Sequence, residues 1–414
     1  MKRVILVAPT ASYRIQAYVD AASRLGVELV VASDGQYSLV SAVSGGLQIP
    51  LDNVVKAIAA TIAFHRDSPI HAVVASDDAT VELASEIAAA LGLPHNPVSA
   101  VRLARRKDLA RFAQQRAGIE VPVFQRLDLD APIPGQVTSL MYPVVLKPLA
   151  LSGSRGVMRA NNEDELLRCV ERLRPIIAHA YQDEERRFAL IEAYLPGDEV
   201  AVEGMLTDGR FSLKAIFDKP EPLVGPFFEE SYYVTPSRLA LQLQQQLERA
   251  VARLCEAYGL RTGPVHAELR MNADKIWPLE IAARTIGGDC ARLFTFGTGY
   301  SLELMVLAHA LSVALPVTEA SNDAAGVLMI PIPRTGVLRR VEGVLEASRV
   351  VGVEDVFIAA REGHEIIALP EGSSYLGFVF ARGPDPEAVY LALREAHAAL
   401  KIVTAPIWRI EALG

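Results

Sequence analysis

The chain has 414 residues, 51% hydrophobic and 22% charged, with a formal net charge of −8; this is too long for one hydrophobic core and implies about two to four subdomains. The acidic balance argues against a nucleic-acid partner, which would want a basic face. Three scattered cysteines, Cys169, Cys255 and Cys290, exclude a disulfide framework and form no zinc cluster, and no run approaches 18 uninterrupted apolar residues, so no membrane span or signal peptide is expected and a cytoplasmic location is.

The first 95 residues alternate strand and helix signals. RVILVAP, VELVVAS and HAVVASDD read as strands buried on both faces, separated by helical patterns, the last being TVELASEIAAALG, which Gly92 closes. This predicts a parallel α/β unit. Its first turn, Ala8 to Ser12, has no GxGxxG, which counts against dinucleotide binding. Residues 97–117 read as a basic helix carrying Arg102, Arg105, Arg106, Lys107 and Arg111, and VPVF then begins an extended segment. Residues 142–205 read strand, glycine-rich loop, helix, strand, strand; KAIFDK, a proline-rich loop and a long helix over 237–258 follow. PVHAELRM and IWPLEIA flank the turn signal Asn272-Ala273-Asp274-Lys275 and predict a β-hairpin. A composition shift at 316–326 suggests a boundary, beyond which GVLMIPIP, VEDVFIAA, EIIALP and YLGFVFARG read as strands and PDPEAVYLALREAHAALKI as a closing helix.

Three stretches carry chemistry. YPVVLKPLALSGSRGV sets Lys147 at the end of a strand ahead of Ser152, Gly153, Ser154 and Gly156. Glycines let a backbone approach a ligand closely and successive amides make an anion nest, so lysine and loop together suit a polyphosphate; a surface loop with a snorkelling lysine is the plainer reading. In the predicted hairpin, His266, Glu268 and Arg270 share one parity, as do Glu280, Ala282 and Arg284. Directly opposed residues have Cβ atoms about 5 Å apart. Glu268 and Glu280 are opposed only if the turn is odd in length or a bulge intervenes, and opposed carboxylates call for a cation between them; a solvated face of Glu–Arg pairs is the alternative. LIEAYLPGDEV adds Glu192 and Glu199 around a Pro-Gly turn.

In their order, these pieces resemble the ATP-grasp superfamily across nearly the whole chain: Lys107, Lys147 in a PxVxKP-like strand, SGSRG, Glu192 to Glu199, then Glu268 and Glu280. RTIGGDCARLF, FFEESYYVTPSRL and LPEGSSYLGFVFARG point within it to the carboxylate–amine ligase branch, which includes bacterial L-amino-acid (dipeptide) ligases. The resemblance implies an α/β fold: a Rossmann-like N-terminal domain at 1–96, linker helices and a strand at 97–141, a lid subdomain at 142–197, a large subdomain with the metal site at 198–318, and a C-terminal α+β domain at 319–414. It implies ATP with Mg²⁺ (or Mn²⁺), activation of a carboxylate as an acyl phosphate, attack by an amine, and release of ADP and phosphate. Lys107, Lys147 and the Ser152–Gly156 loop would hold phosphates, Glu192, Ala193 and Leu195 the adenine, Glu199 the ribose, and Glu268 and Glu280 the metal. Arg284 would face the transferred group, with Gly287 and Gly288 assisting and Glu230 shaping the substrate pocket. His266 is either a substrate contact or base, or a hydrogen-bonded strand histidine. Asp77-Asp78 either bind the amine or cap a helix, and Asp218-Lys219 with Glu229-Glu230 either shape the pocket or lie in an exposed loop. The partners would be a small carboxylate and an amine, with a homodimer compatible with the family. Where the family's hairpin ends E-x-N-x-R, this chain has Ala282, which puts one metal ligand in doubt. Activation of bicarbonate or formate, and a nucleotide-binding regulator without turnover, stand as alternatives.

Overall fold

The computed structural model describes residues 1–10, 12–35, 45–178, 183–272, 275–318, 321 and 323–407. The expected turn centre at 273–274, and 319, 320 and 322 of the expected boundary, lie outside them.

The N-terminal strands form a four-stranded parallel sheet in the order Gly45–Gln48, Glu28–Ser33, Arg3–Val7, Ala72–Ala75. The apolar run of its central strand is explained by burial on both faces. Val4 and Leu6 join the cluster that packs on helix Leu302–Ala310, whereas Ile5 and Val7 join the one under helices Val54–Asp67 and Val81–Ala90.

A four-stranded antiparallel sheet follows, in the order Phe124–Asp128, Phe188–Ala193, Val144–Pro148, Met158–Ala160. Helix Glu163–Ile177 covers it with Leu166, Val170, Leu173, Ile176 and Ile177. The segment read as helical over 97–117 is two helices, Val98–Arg105 and Lys107–Arg116, broken where Arg106 turns extended (φ −97°, ψ 102°).

An eight-stranded antiparallel sheet forms the centre, in the order Ile276–Ala282, Gly263–Met271, Asp198–Thr207, Arg210–Lys219, Tyr232–Thr235, Ala324–Ile330, Gly377–Gly383, Val353–Ile358. Alternation decides its faces. Val265, Ala267 and Leu269, with Val200 and Val202, lie against helix Leu241–Tyr258, which contributes Leu247, Val251, Leu254 and Tyr258 at helical spacing. The intervening residues therefore point to the other side. No break in this sheet marks the expected boundary, since Tyr232–Thr235 pairs directly with Ala324–Ile330. The closing helix stops at Ala399. Residues Lys401–Ala405, read as helical at their start, instead pair with Gly336–Glu342 in a small three-stranded sheet, as the β-branched Ile402, Val403 and Thr404 favour. Among the described residues, no helix is long and apolar enough to cross a membrane.

Candidate active site

One solvent-open cleft of about 870 Å³ lies between the lid sheet and the polar face of the central sheet. The hairpin places both acids there. Glu268 and Glu280 are directly opposed because the pairing shifts by one residue at Leu279, so that Leu269 pairs with Pro278 while Glu268 pairs with Glu280. This is the bulge that opposition required. The adjoining strand completes the face: Glu203 lies opposite His266, Ala201 opposite Glu268 and Glu199 opposite Arg270.

Cations approach from the lid side. Lys107 opens its helix with its amide donating to the Leu149 carbonyl, and its Nζ lies 3.0 Å from Glu280 Oε2 and 2.8 Å from the Leu151 carbonyl. Lys147 donates to Glu192 at 2.5 Å. Burial and the nearby Arg111 and Lys107 charges outweigh that carboxylate and lower the Lys147 ammonium from its usual range. Arg111 grips the same carboxylate at 2.5 and 3.3 Å. Burial alone would raise Glu192, but Arg111 and Lys147 hold it at about 2. Gly153 and Ser154 of the loop face the cleft, both at positive φ (63° and 54°), and a side chain at Gly153 would meet nothing within 4 Å. That is the bare backbone an anion nest needs.

Acids dominate the other end. Lys219 Nζ sits 2.6 Å from Glu199, 2.6 Å from Glu230 and 3.3 Å from Glu268. Burial opposes its charge, yet the three carboxylates raise its pKa well above the usual value. Burial and the Glu268 charge push Glu230 up to about 7, while Tyr233 donates to its other oxygen at 2.6 Å. Glu268 is held well below the usual range, against burial, by Lys219 and His266. His266 donates through Nδ1 to Glu203 at 2.6 Å, with Nε2 3.5 Å from Glu268. Burial works against its charge, but Glu203 and Glu268 lift it to about 9. Oxygens of Glu199, Glu230 and Glu268 lie within 4.8 Å of one another, so the donor set for a hard cation, three carboxylates here and Glu280 beside them, is present.

The structure thus brings Lys107, Lys147, Gly153, Ser154, Glu192, Ala193, Leu195, Glu199, Glu230, His266, Glu268, Glu280 and Arg284 to one cleft. Others stand apart. Ser152 and Gly156 do not line it; the Gly156 amide donates to the Pro370 carbonyl, and a side chain there would come within 2.9 Å of Leu173. Gly287 and Gly288 lie outside it, and the Gly288 amide is taken by the Tyr13 hydroxyl at 3.0 Å, so it is not a free donor to an oxyanion. Arg284 is bound to Asp78 at 2.6 and 3.0 Å, which explains Asp78 without helix capping, while Asp77 accepts from Ser12 and Ser76. Sequence reasoning did not name Arg111 or Glu203 as site residues, and placed Lys219 only beside a loop that either shapes the pocket or lies exposed. Arg111 follows Lys107 by one helical turn, which was a usable signal; the partners of Lys219 and Glu203 become visible only once the strands are paired.

Comparison with known proteins assigns the domains that carry this cleft. An ATP-grasp N-terminal domain model matches residues 19–95, an ATP-grasp domain model 140–292, and an L-amino acid ligase C-terminal domain 2 model 328–405. The chain is 29% identical over 215 residues to alanine–anticapsin ligase of Bacillus subtilis (strain 168), covering 48% of this chain and 44% of that protein. It is 30% identical over 320 residues to carnosine synthase 1 of Gallus gallus, covering 70% and 33%. The alignments thus span less than half the length of these relatives. The crystal structure of L-amino acid ligase from Bacillus licheniformis superposes with a TM-score of 0.84 at 24% identity, covering 98% and 99% of the two chains. N5-carboxyaminoimidazole ribonucleotide synthetase from Thermotoga maritima gives 0.69 at 15%, covering 98% and 100%. The chain thus carries an ATP-grasp domain over residues 140–292, between an ATP-grasp N-terminal domain and an L-amino acid ligase C-terminal domain 2, and every residue lining the cleft except Lys107 falls within the first of these.

Proposed function

We propose that the protein is an ATP-dependent ligase that joins a carboxylate, of the amino-acid class, to an amine through an acyl phosphate, releasing ADP and phosphate. The observation that carries this reading is the opposition of Glu268 and Glu280 beneath Lys107 and Lys147 in one cleft. Lys107, Lys147, Gly153 and Ser154 hold the phosphates. The Ala193 and Tyr194 amides already donate to Val123 and Pro143, so the Leu195 amide is the donor left for the adenine edge, and Glu199 takes the ribose. Glu268 and Glu280, with Glu230 in place of the missing asparagine, would hold Mg²⁺, which neutralises phosphate charge when bound. Phosphoryl transfer asks mainly for positioning and charge neutralisation, which these residues supply. Arg284 steadies the carboxylate and the oxyanion that follows its attack by the amine. His266, with Nδ1 held by Glu203, lies in the same cleft and is placed to contact the substrate. The L-amino acid ligase C-terminal domain and the anticapsin-ligase and carnosine-synthase relatives support the amino-acid class. ATP-dependent phosphate release over paired amino acids, with mass spectrometry of products, tests the reading. An amide product with stoichiometric phosphate is expected; phosphate release with bicarbonate or formate alone, or nucleotide binding with no turnover, would overturn it.

A further inference from the structure

The bulge at Leu279 decides whether the site exists. Four residues separate the paired ends Met271 and Ile276. Regular pairing continued from there would set Glu268 opposite Leu279 and Ala267 opposite Glu280. Opposed residues share a face, and a one-residue slip exchanges faces. Glu280 would then point with Ala267 into the apolar layer under helix Leu241–Tyr258. Something must hold the extra residue out of the ladder.

Arg111 is placed to do it. Its side chain is 2% exposed. Its guanidinium donates at 2.9 Å to the Pro278 carbonyl and at 3.1 Å to the Leu279 carbonyl, the two peptide oxygens at the bulge, on the outer edge of the terminal strand of the sheet. Its remaining donors hold Glu192 and Gln114, and Gln114 is in turn anchored to the Tyr258 hydroxyl at 2.8 Å. The planar fork of five donors can bridge a carboxylate and two carbonyls at once, and an ammonium cannot reproduce that geometry. We infer that Arg111 is a positioning residue: it fixes the hairpin register that turns Glu280 toward Glu268, and ties that register to the Glu192–Lys147 pair across the cleft.

The inference rests on the proposed metal-dependent reading, and the test separates the two. Free Mn²⁺ is followed by electron paramagnetic resonance in the presence of ADP, and ADP affinity is measured separately in EDTA by calorimetry. In Arg111→Lys, which keeps the charge beside Glu192, Mn²⁺ affinity of the ADP complex should fall about 10- to 100-fold, as for other residues that orient metal ligands. Arg102→Lys, the same exchange at a half-exposed ion pair with Glu82 on the preceding helix and outside the cleft, should change Mn²⁺ affinity by no more than roughly twofold. Wild-type Mn²⁺ affinity in Arg111→Lys, or an equal loss in Arg102→Lys, overturns the inference. If Arg111→Lys does not fold, deletion of Leu279 in that background decides. A strand without the extra residue keeps the two glutamates opposed with no bulge to hold, so folding and Mn²⁺ binding should return, and failure to return overturns the inference. No Mn²⁺ bound by the wild-type ADP complex would instead remove the metal-dependent reading itself, and this inference with it.

Discussion

The two ends of the cleft are built on opposite charge ratios. On the lid side one carboxylate, Glu192, lies between two cations, Arg111 and Lys147. On the sheet side one ammonium, Lys219, lies among three carboxylates. Burial penalises both, and the resulting pKa values diverge: Glu192 sits at about 2 and Glu230 at about 7. Two glutamates in one cleft therefore titrate in opposite directions from the usual value, because each answers to its local majority. The lid end carries spare positive charge suited to an anion, and the sheet end spare negative charge suited to a cation, which is the polarity a metal–triphosphate requires on the proposed reading.

The largest effect should come from removing the cation at the centre of the sheet end. Lys219→Met leaves Glu230 without a cationic partner, while Glu199 keeps Arg270 and Glu268 keeps His266, and should destabilise the fold by about 3 kcal/mol in denaturant titration; a loss under about 1 kcal/mol would mean that Lys219 is not what holds the cluster. At the lid end, Lys147→Ala leaves Glu192 still paired with Arg111, so the fold should survive. Nucleotide affinity should drop roughly 10- to 100-fold, the value of a charge-assisted hydrogen bond or two. Unchanged ATP affinity would remove Lys147 from the phosphate site.

Acid titration of stability sharpens the contrast. Glu192 is depressed in the folded state, so its contribution is fully present above about 4.5 and is lost as pH falls toward about 2. Glu230 is raised, so the unfolded chain ionises first, and stability is lost as pH rises from about 4.5 through about 7. Denaturation midpoints across pH should show Glu192→Gln flattening the acid limb alone and Glu230→Gln flattening the near-neutral slope alone. The same limb altered by both would show that the two ends are not independent. The smallest effect is expected outside the cleft. Arg172 and Glu371 tie the lid helix to the C-terminal region at 2.9 Å, both roughly half exposed. Arg172→Ala should cost less than about 1 kcal/mol and leave the catalytic rate unchanged.

Most of the site could be read from residue order alone, because lysine, glycine loop and acids fall in a sequence that the fold maps onto one cleft. The N-terminal sheet was legible from its continuous apolar runs. What escaped depends on pairing. The opposition of Glu268 and Glu280 rests on one extra residue, which no local pattern announces; Leu279 looks like any strand leucine. Lys219 was read only as a loop flank because its three partners come from three other segments. Gly287 and Gly288 looked free because glycines often are, yet Tyr13, from the first domain, claims the Gly288 amide. Short strands such as Tyr232–Thr235 and Met158–Ala160 are too brief to show a period.

The unbroken central sheet has a practical consequence. Since Tyr232–Thr235 is flanked by Arg210–Lys219 on one side and Ala324–Ile330 on the other, the last hundred residues are not a detachable accessory. A chain severed near residue 318 would expose a raw backbone edge beside apolar surface that Val327, Leu328 and Phe380 normally cover. Such a fragment should stick to its own copies rather than persist as a free nucleotide-binding piece. Any exchange of C-terminal segments between relatives would have to match strand for strand to keep that seam closed.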